Sequence, residues 1–241
     1  MEKAIKRYWP VFVLPTLIAF IIGFVWPFIW GAGLSFCKFT TVKNVQLVGL
    51  NNYKMIWIDD TFTHAFWFTA AFTIVSTVLI NVLAFSIALL LTRGMRGTNA
   101  FRTIFFLPNL IGGIVLGYIW QFVFFRVFVS IGETTGWSLF EISWLSTPNK
   151  AFAALVLVSV WQLAGYMILI YVAGFMGLSE DVLEAASIDG ASGWVKMKNI
   201  ILPLMMSSVT ICLFLTLSRA FMVYDVNLSL TGGAPYGTTE M

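Results

Sequence analysis

Hydrophobic residues fall into five long runs, and short polar or charged segments separate each run from the next. A helix needs about 20 largely apolar residues to cross a bilayer, and every run is long enough. The ten-residue alternation of apolar and polar positions that is typical of membrane β-barrels is absent from these runs. The pattern therefore predicts an all-α integral membrane protein with five transmembrane helices, at about 10–36, 65–92, 103–125, 150–174 and 204–224.

The composition agrees with a membrane protein and excludes a soluble domain. Apolar residues make up 59% of the 241 residues and charged residues only 10%, whereas a soluble domain carries about 25% charged residues. The net charge of +3 is too small to predict nucleic-acid binding. We therefore predict a single transmembrane domain over residues 1–241, in contact with membrane lipid.

Residue types that serve catalysis or metal binding are few and scattered. The only histidine is His64, and neither cysteines nor a carboxylate cluster lie near it in the sequence, so no metal site is predicted. Cys37 and Cys212 lie in or beside apolar runs, where cysteine acts as a small hydrophobe. No Ser/His or His/Glu grouping predicts catalytic residues. The protein is therefore expected not to be an enzyme.

The distribution of Lys and Arg predicts the orientation in the membrane. With the N-terminus in the cytoplasm, the inner segments 1–9, 93–102 and 175–203 hold eight Lys and Arg residues, and the outer segments hold five. The short segment 93–102 is strongly basic, through Arg93, Arg96 and Arg102. Because cytoplasmic loops carry the excess of Lys and Arg, we predict a cytoplasmic N-terminus.

The inner loop 175–203 contains the most informative pattern of the chain. Ser179 is a suitable first residue for a short helix, and Gly190 can end that helix in a left-handed conformation. A second helix can begin at Ser192, and Pro203 marks the entry into the last predicted span. From the residues alone, an interfacial loop without a partner explains this pattern as well as a docking site for another protein.

The string EAASIDGA followed by ILP resembles the EAA motif in permease subunits of binding-protein-dependent ABC sugar importers, of the maltose and multiple-sugar type. Further strings agree with that family: VGLNNY at 48–53, RTIFFLPN at 102–109 and LTGGAP at 230–235. The motif falls on Glu184, Ala185, Ala186, Asp189, Gly190, Ala191, Leu202 and Pro203. The resemblance implies that loop 175–203, here named the coupling loop, contacts an ATPase.

The resemblance implies the type I ABC importer permease fold and a place in the bacterial or archaeal plasma membrane as a multi-pass protein. That family has one more span after its Gly-Gly-x-Pro loop, and this chain ends before it, so we expect a truncated sequence. The implied partners are a second homologous permease, two ATP-binding cassette ATPases and an extracellular or periplasmic solute-binding protein. No phosphate-binding G-x-x-x-x-G-K-[ST] motif occurs. ATP and Mg are therefore expected on the partner ATPase, and no cofactor on this chain.

The implied function is ATP-driven import of a sugar or oligosaccharide. The main alternative is a self-contained secondary transporter or channel for a small polar solute. Such proteins often show internal repeats or acidic residues within their spans. The sequence shows no repeat, and every acidic residue can be placed in a loop or at the end of a span.

Polar residues inside the fourth predicted span are candidates for the solute pathway. Ser159, Gln162 and Tyr166 are three and four residues apart, so they share one face of a helix. Their alternative role is interhelical hydrogen bonding. Arg219 lies inside the fifth span and could contact the solute, pair with Asp225 or extend towards the membrane surface. The weaker candidates are Asn81, Asn109, Tyr118 and Gln121, while the Gly113-x-x-x-Gly117 pair predicts close helix packing.

Overall fold

The computed structural model describes residues 2–39, 41, 44–92, 94 and 97–241, and side chains from Trp9 onward within this set. Arg93 and Arg96, on which the predicted orientation partly depends, lie outside the described residues. Contacts between residues group the chain into two compact units, Met1–Thr63 and His64–Met241. The single transmembrane domain over residues 1–241 stays a prediction, and the two units are described in turn.

The first unit consists of a long apolar helix followed by a small hairpin and a short helix. Its elements are α1 (Glu2–Phe20), a π-turn (Ile21–Val25), α2 (Trp26–Leu34), β1 (Cys37–Phe39), β2 (Val45–Leu47) and α3 (Asn51–Ile58). The strands are antiparallel, with Cys37 opposite Leu47. Asn52 fixes the hairpin to α3, because its Nδ2 donates to the carbonyl oxygens of Ser35 and Cys37 at 2.8 and 3.0 Å.

The second unit is a helical bundle. The helices before the coupling loop are α4 (Asp60–Leu91), α5 (Thr98–Phe106), α6 (Gly113–Phe122), α7 (Phe128–Thr135) and α8 (Pro148–Met176). The coupling loop and the segment after it form α9 (Glu180–Ile188), α10 (Gly193–Lys196), α11 (Leu202–Leu204), α12 (Met206–Phe221) and α13 (Tyr224–Leu230). A π-turn (Val123–Val127) joins α6 to α7, another (Met197–Ile201) joins α10 to α11, and 3₁₀ turns lie at Leu107–Leu110 and Trp144–Ser146.

Helix α8 is the centre of the bundle. Its apolar residues surround the helix on all sides, as expected for a helix buried by its neighbours. Towards its N-terminal end, Leu155 and Val158 pack in a core with Phe72 and Phe124. Towards its C-terminal end, α8 packs in a second core, whose members include Ile80, Met167, Ile168, Tyr171 and Cys212.

Four of the five predicted spans correspond to helices of the structure. The corresponding apolar helices are Trp9–Leu34, Asp60–Leu91, Pro148–Met176 and Met206–Phe221. The last of them is bent by 71° relative to the preceding helical segment Gly193–Leu204. The prediction of a mainly helical membrane protein is therefore confirmed.

The predicted third span, 103–125, differs from the structure. The apolar helix there runs over Gly113–Thr135, and the residues before it form α5 and a 3₁₀ turn. Pro108 has no amide hydrogen to donate and favours a break, and Gly112 is extended, with φ −60° and ψ 141°. The interruption at 107–112, here named the helix break, does not appear in the hydropathy pattern, because most residues on both sides of it are apolar.

Candidate functional site

The first half of the coupling loop is a helix that ends as the sequence predicts. Helix α9 starts after Ser179 with Glu180 and Asp181 in its first turn. Gly190 follows its last residues with φ +76°. The amide of Gly190 donates to the carbonyl of Ser187 at 3.2 Å, and that of Ala191 to the carbonyl of Ala186 at 3.0 Å. This pair of bonds closes the helix as a Schellman motif, which confirms the predicted left-handed turn.

The second half of the coupling loop leads into the last long helix. Ser192 begins it as predicted, because its Oγ accepts a hydrogen bond from the amide of Val195 at 3.4 Å. The helical path continues through Pro203 and bends at Met205. Lys196 Nζ donates to Ser187 Oγ at 2.7 Å and so ties the two halves together. The two short helices are therefore held in one arrangement.

Most residues of the EAA motif are exposed. Ala186 is buried and Ala191 half-buried, whereas Glu184, Ala185, Asp189, Gly190, Leu202 and Pro203 face outward. Two apolar side chains that the sequence prediction did not select are also exposed, Ile188 at 85% and Trp194 at 75%. They flank the glycine turn. The sequence signal that could have identified them is a pair of large apolar residues in an otherwise polar loop. Large apolar side chains exposed beside one another are typical of a surface that another protein covers.

A second polar site surrounds the helix break. The guanidinium of Arg219 lies 5.2 Å from the ring centroid of Tyr166, within cation–π distance. Arg219 Nη1 also donates to Asn109 Oδ1 at 3.0 Å. We name Asn109, Tyr166 and Arg219 the polar cluster; its members come from the 3₁₀ turn, α8 and α12. The fold thus joins residues that are far apart in the sequence.

Gln162 belongs to the same region through the backbone of the helix break. Its Nε2 donates to the carbonyl oxygen of Ile111 at 3.2 Å. Non-helical backbone at membrane depth persists only where it is buried in protein or lines a water-filled cavity. Gln162 and Tyr166 are both half-buried. The polar side chains around the break therefore hold α8 against it and are also partly exposed at the surface of this chain.

Ser159 does not share this environment. It is 1% exposed, and its hydroxyl has no hydrogen-bond partner within the described part of the chain. One helical turn separates it from Gln162, but it points into the core around α8. The structure therefore brings Gln162, Tyr166 and Arg219 together, and it leaves Ser159 enclosed.

Arg219 is held by Asn109 and Tyr166 rather than by Asp225. Among the described residues, it forms no ion pair. Asp225 lies in the first turn of α13, where a Cβ added to Gly113 would come within 3.0 Å of its Cβ. Asn109, which the sequence placed among the weaker candidates, is thus a member of the site. Its position directly after Pro108 in an apolar run was the available indication.

Other weaker candidates pack the bundle. Asn81 is buried and bonded to two helices: Tyr171 Oη donates to Asn81 Oδ1 at 2.7 Å, and Asn81 Nδ2 donates to Thr216 Oγ1 at 2.9 Å. Gln121 Nε2 donates to the carbonyl of Leu230 at 3.2 Å. Such contacts are the interhelical hydrogen bonds expected of membrane bundles. Asn81 and Gln121 therefore have structural partners in this chain.

Gly113 and Gly117 form a packing surface, as predicted. The face of α6 that contains them lies against α13, where Ser229 Oγ donates to the carbonyl of Gly113 at 3.4 Å. A Cβ added to Gly117 would collide with Ser229 Oγ and Cβ. The close approach holds α13 and the C-terminal turns against α6.

Comparison with known proteins identifies relatives over nearly the whole chain. The family model described as "Binding-protein-dependent transport system inner membrane component" matches residues 80–240. A probable starch degradation products transport system permease, AmyD of Thermoanaerobacterium thermosulfurigenes, is 43% identical over 97% of this chain and 80% of its own length. The multiple sugar-binding transport system permease MsmF of Streptococcus mutans is 31% identical over 99% of this chain and 83% of its own length.

A solved structure has the same fold. A chain of a bacterial ABC transporter involved in the import of the acidic polysaccharide alginate superposes with a TM-score of 0.82. The match covers 100% of this chain and 83% of that chain, at 22% sequence identity. At this identity, the likeness establishes the fold of the chain alone.

Proposed function

The chain belongs to the family of binding-protein-dependent transport system inner membrane components, and we propose from this premise that it imports a sugar or oligosaccharide. It forms the transmembrane path together with a second homologous permease. A solute-binding protein delivers the solute outside, and two ATPase subunits drive the cycle inside. The relatives named as starch-product and multiple-sugar permeases support the sugar as the solute class.

The coupling loop transmits the ATPase movement in this proposal. Its two halves are tied by the Lys196–Ser187 bond and by the turn at Gly190. A loop held in this way can move as a rigid unit and displace α12, which follows the bend at Met205. Such a movement would switch the permease between two states. The exposed side chains of Ile188 and Trp194 support a protein partner on this surface.

ATP and Mg are bound by the ATPase partners in this proposal. The sequence contains no phosphate-binding loop of the G-x-x-x-x-G-K-[ST] type. The proposed orientation, with a cytoplasmic N-terminus, places the coupling loop in the cytoplasm, where the ATPases reside. The direction of the Lys and Arg bias supports it.

The polar cluster at the helix break is the observation that supports a solute pathway in this chain. A guanidinium, an amide and an aromatic ring are grouped there among apolar helices. Polar groups at membrane depth are costly unless they face protein or a water-filled path. We assign Tyr166 and Arg219 to the pathway, with Gln162 beside them and Asn109 holding the guanidinium.

The proposal is tested by reconstituting the permease pair with its ATPases in proteoliposomes and measuring solute uptake. Uptake that requires ATP on the ATPase side and binding protein on the opposite side is the expected result. Uptake of the same solute by the permeases alone, driven by an ion gradient and independent of ATP, would overturn it. Glu184→Ala, an exposed change in the coupling loop, should reduce ATP-driven uptake without reducing the amount of permease in the membrane.

A further inference from the structure

Among the described residues Arg219 has no carboxylate partner, and this narrows the class of solute. We propose that the pathway accepts a sugar carrying an anionic group, a carboxylate or a phosphate, and that Arg219 is the residue that binds this group. The proposal rests on the function proposed above, because it places Arg219 on the solute pathway.

The protein uses only part of the binding capacity of the guanidinium. An arginine side chain has five N–H donors in a planar fork. Nη1 donates to Asn109 Oδ1, and the face of the guanidinium lies over the ring of Tyr166. Among the described residues, no other acceptor bonds to Arg219, whose side chain is exposed on this chain. The remaining donors can therefore form a fork-to-fork contact with an oxyanion.

The charge also has no counter-ion in the described part of the chain. Asn109 is neutral, and Tyr166 offers only the quadrupole of its ring. Asp225, the nearest carboxylate in the sequence, lies against Gly113 and forms no ion pair with Arg219. The C-terminal end of α12, where Arg219 lies in the last turn, contributes only a partial negative charge.

The neighbours of Arg219 fix its orientation without neutralising it. Asn109 is held in the turn after Pro108, and Tyr166 comes from the central helix α8. A cation that is pre-oriented in this way loses little side-chain entropy when it binds an anion. Neutral amides and hydroxyls are sufficient to bond to the hydroxyls of a neutral sugar. A charge without a counter-ion adds a free-energy cost in a membrane, which binding of an anionic group would offset.

The test measures direct solute binding to the permease–ATPase complex in lipid nanodiscs, without the solute-binding protein. The probes form two pairs, and the members of each pair differ only in an anionic group. One pair is trigalacturonate and its carboxyl-reduced neutral trisaccharide, and the other is maltose 6′-phosphate and maltose. The variants are Arg219→Gln, which removes the charge, and Arg219→Lys, which keeps it. Arg126→Gln is the matched control, because Arg126 is an exposed arginine at the end of the α6–α7 π-turn.

We expect at least one anionic probe to bind about tenfold more tightly than its neutral counterpart at low ionic strength. Arg219→Gln should abolish this preference by weakening the anionic probe far more than the neutral one. Arg219→Lys should retain part of the preference, and Arg126→Gln should retain all of it. The pair that shows the preference identifies a carboxylate or a phosphate as the anionic group.

Two other results would overturn the proposal in distinguishable ways. Equal binding within both pairs, with Arg219→Gln weakening both members alike, would make Arg219 a donor to neutral sugars; the proposed function would stand and the anionic solute would not. Unchanged binding of all four probes in Arg219→Gln would remove Arg219 from the pathway. If that variant also kept full ATP-driven uptake, the polar cluster would no longer support the proposed function.

Discussion

Lys196 and Ser187 are joined by a 2.7 Å hydrogen bond across the glycine turn of the coupling loop. Lys196 lies on the helix that leads to α12, and Ser187 lies in the last turn of α9. The bond links α9, which contains Glu184, Ala185 and Ala186, to the part of the loop that continues through Leu202 and Pro203 into α12. In the proposed coupling, a displacement applied to α9 would be passed on to α12 through this side-chain contact as well as through the backbone.

Gly190→Leu should disrupt the coupling loop. The backbone there has φ +76°, which costs a residue with a side chain about 1–2 kcal/mol. Because the turn sets the angle between the two halves, we expect less ATPase bound to the permease and little ATP-driven uptake. Co-purification of the ATPase with the membrane-inserted permease measures the effect.

Gly193→Ala is the matched control for this change. Gly193 lies in the same loop at an ordinary backbone angle, and a Cβ added there would meet nothing within 4 Å. It should retain the ATPase and the uptake. A Gly190→Leu complex with normal ATPase content and normal uptake would contradict the coupling role of the turn.

The proposed orientation predicts which side of the membrane each loop occupies. In a background without Cys37 and Cys212, a cysteine at Asn99 should react with an impermeant thiol reagent only from the cytoplasm. A cysteine at Asn149 should react only from outside. Both asparagines are exposed, at the starts of α5 and α8. Labelling of both positions from one side would show that the orientation and the number of spans between them are wrong.

Gly117→Ala should weaken the packing of α13 on α6. The added methyl group would collide with Ser229, whose hydroxyl also donates to Gly113. Overpacking of this kind costs about 1–3 kcal/mol, so the complex should lose thermal stability in detergent. Gly112→Ala is the control, because a Cβ there would meet nothing within 4 Å. Equal melting temperatures for both variants would contradict the packing role of Gly117.

The coupling loop could be predicted from local sequence. Gly190 ends α9 and Ser192 begins the next helix because both effects act over a few neighbouring residues. The same holds for Gly117, where the small-residue spacing alone indicates a close approach. The family that the EAA resemblance implies was confirmed by the comparisons.

The polar cluster could not be predicted in the same way. Arg219 and Asn109 are 110 positions apart, and only the tertiary fold brings them together. The helix break was missed because hydropathy cannot locate an interruption inside a run of apolar residues. Helical periodicity also placed Ser159 with Gln162, although α8 is surrounded by other helices and Ser159 points into its core.

The most direct test of a solute path through the polar cluster compares two conservative changes on one helix. Tyr166→Phe removes a hydroxyl that has no hydrogen-bond partner among the described residues and keeps the ring beneath Arg219. Tyr171→Phe removes a hydroxyl that donates to Asn81, at a residue that is 1% exposed. Both are measured as the half-saturation concentration of ATP-driven uptake, normalised to the amount of assembled complex.

We expect Tyr166→Phe to raise the half-saturation concentration about tenfold in a complex assembled in normal amounts, because a solute hydroxyl loses its partner. Tyr171→Phe should leave that concentration unchanged and lower the amount or the thermal stability of the complex. An unchanged half-saturation concentration in Tyr166→Phe, at normal assembly, would contradict a solute path past Tyr166 and Arg219.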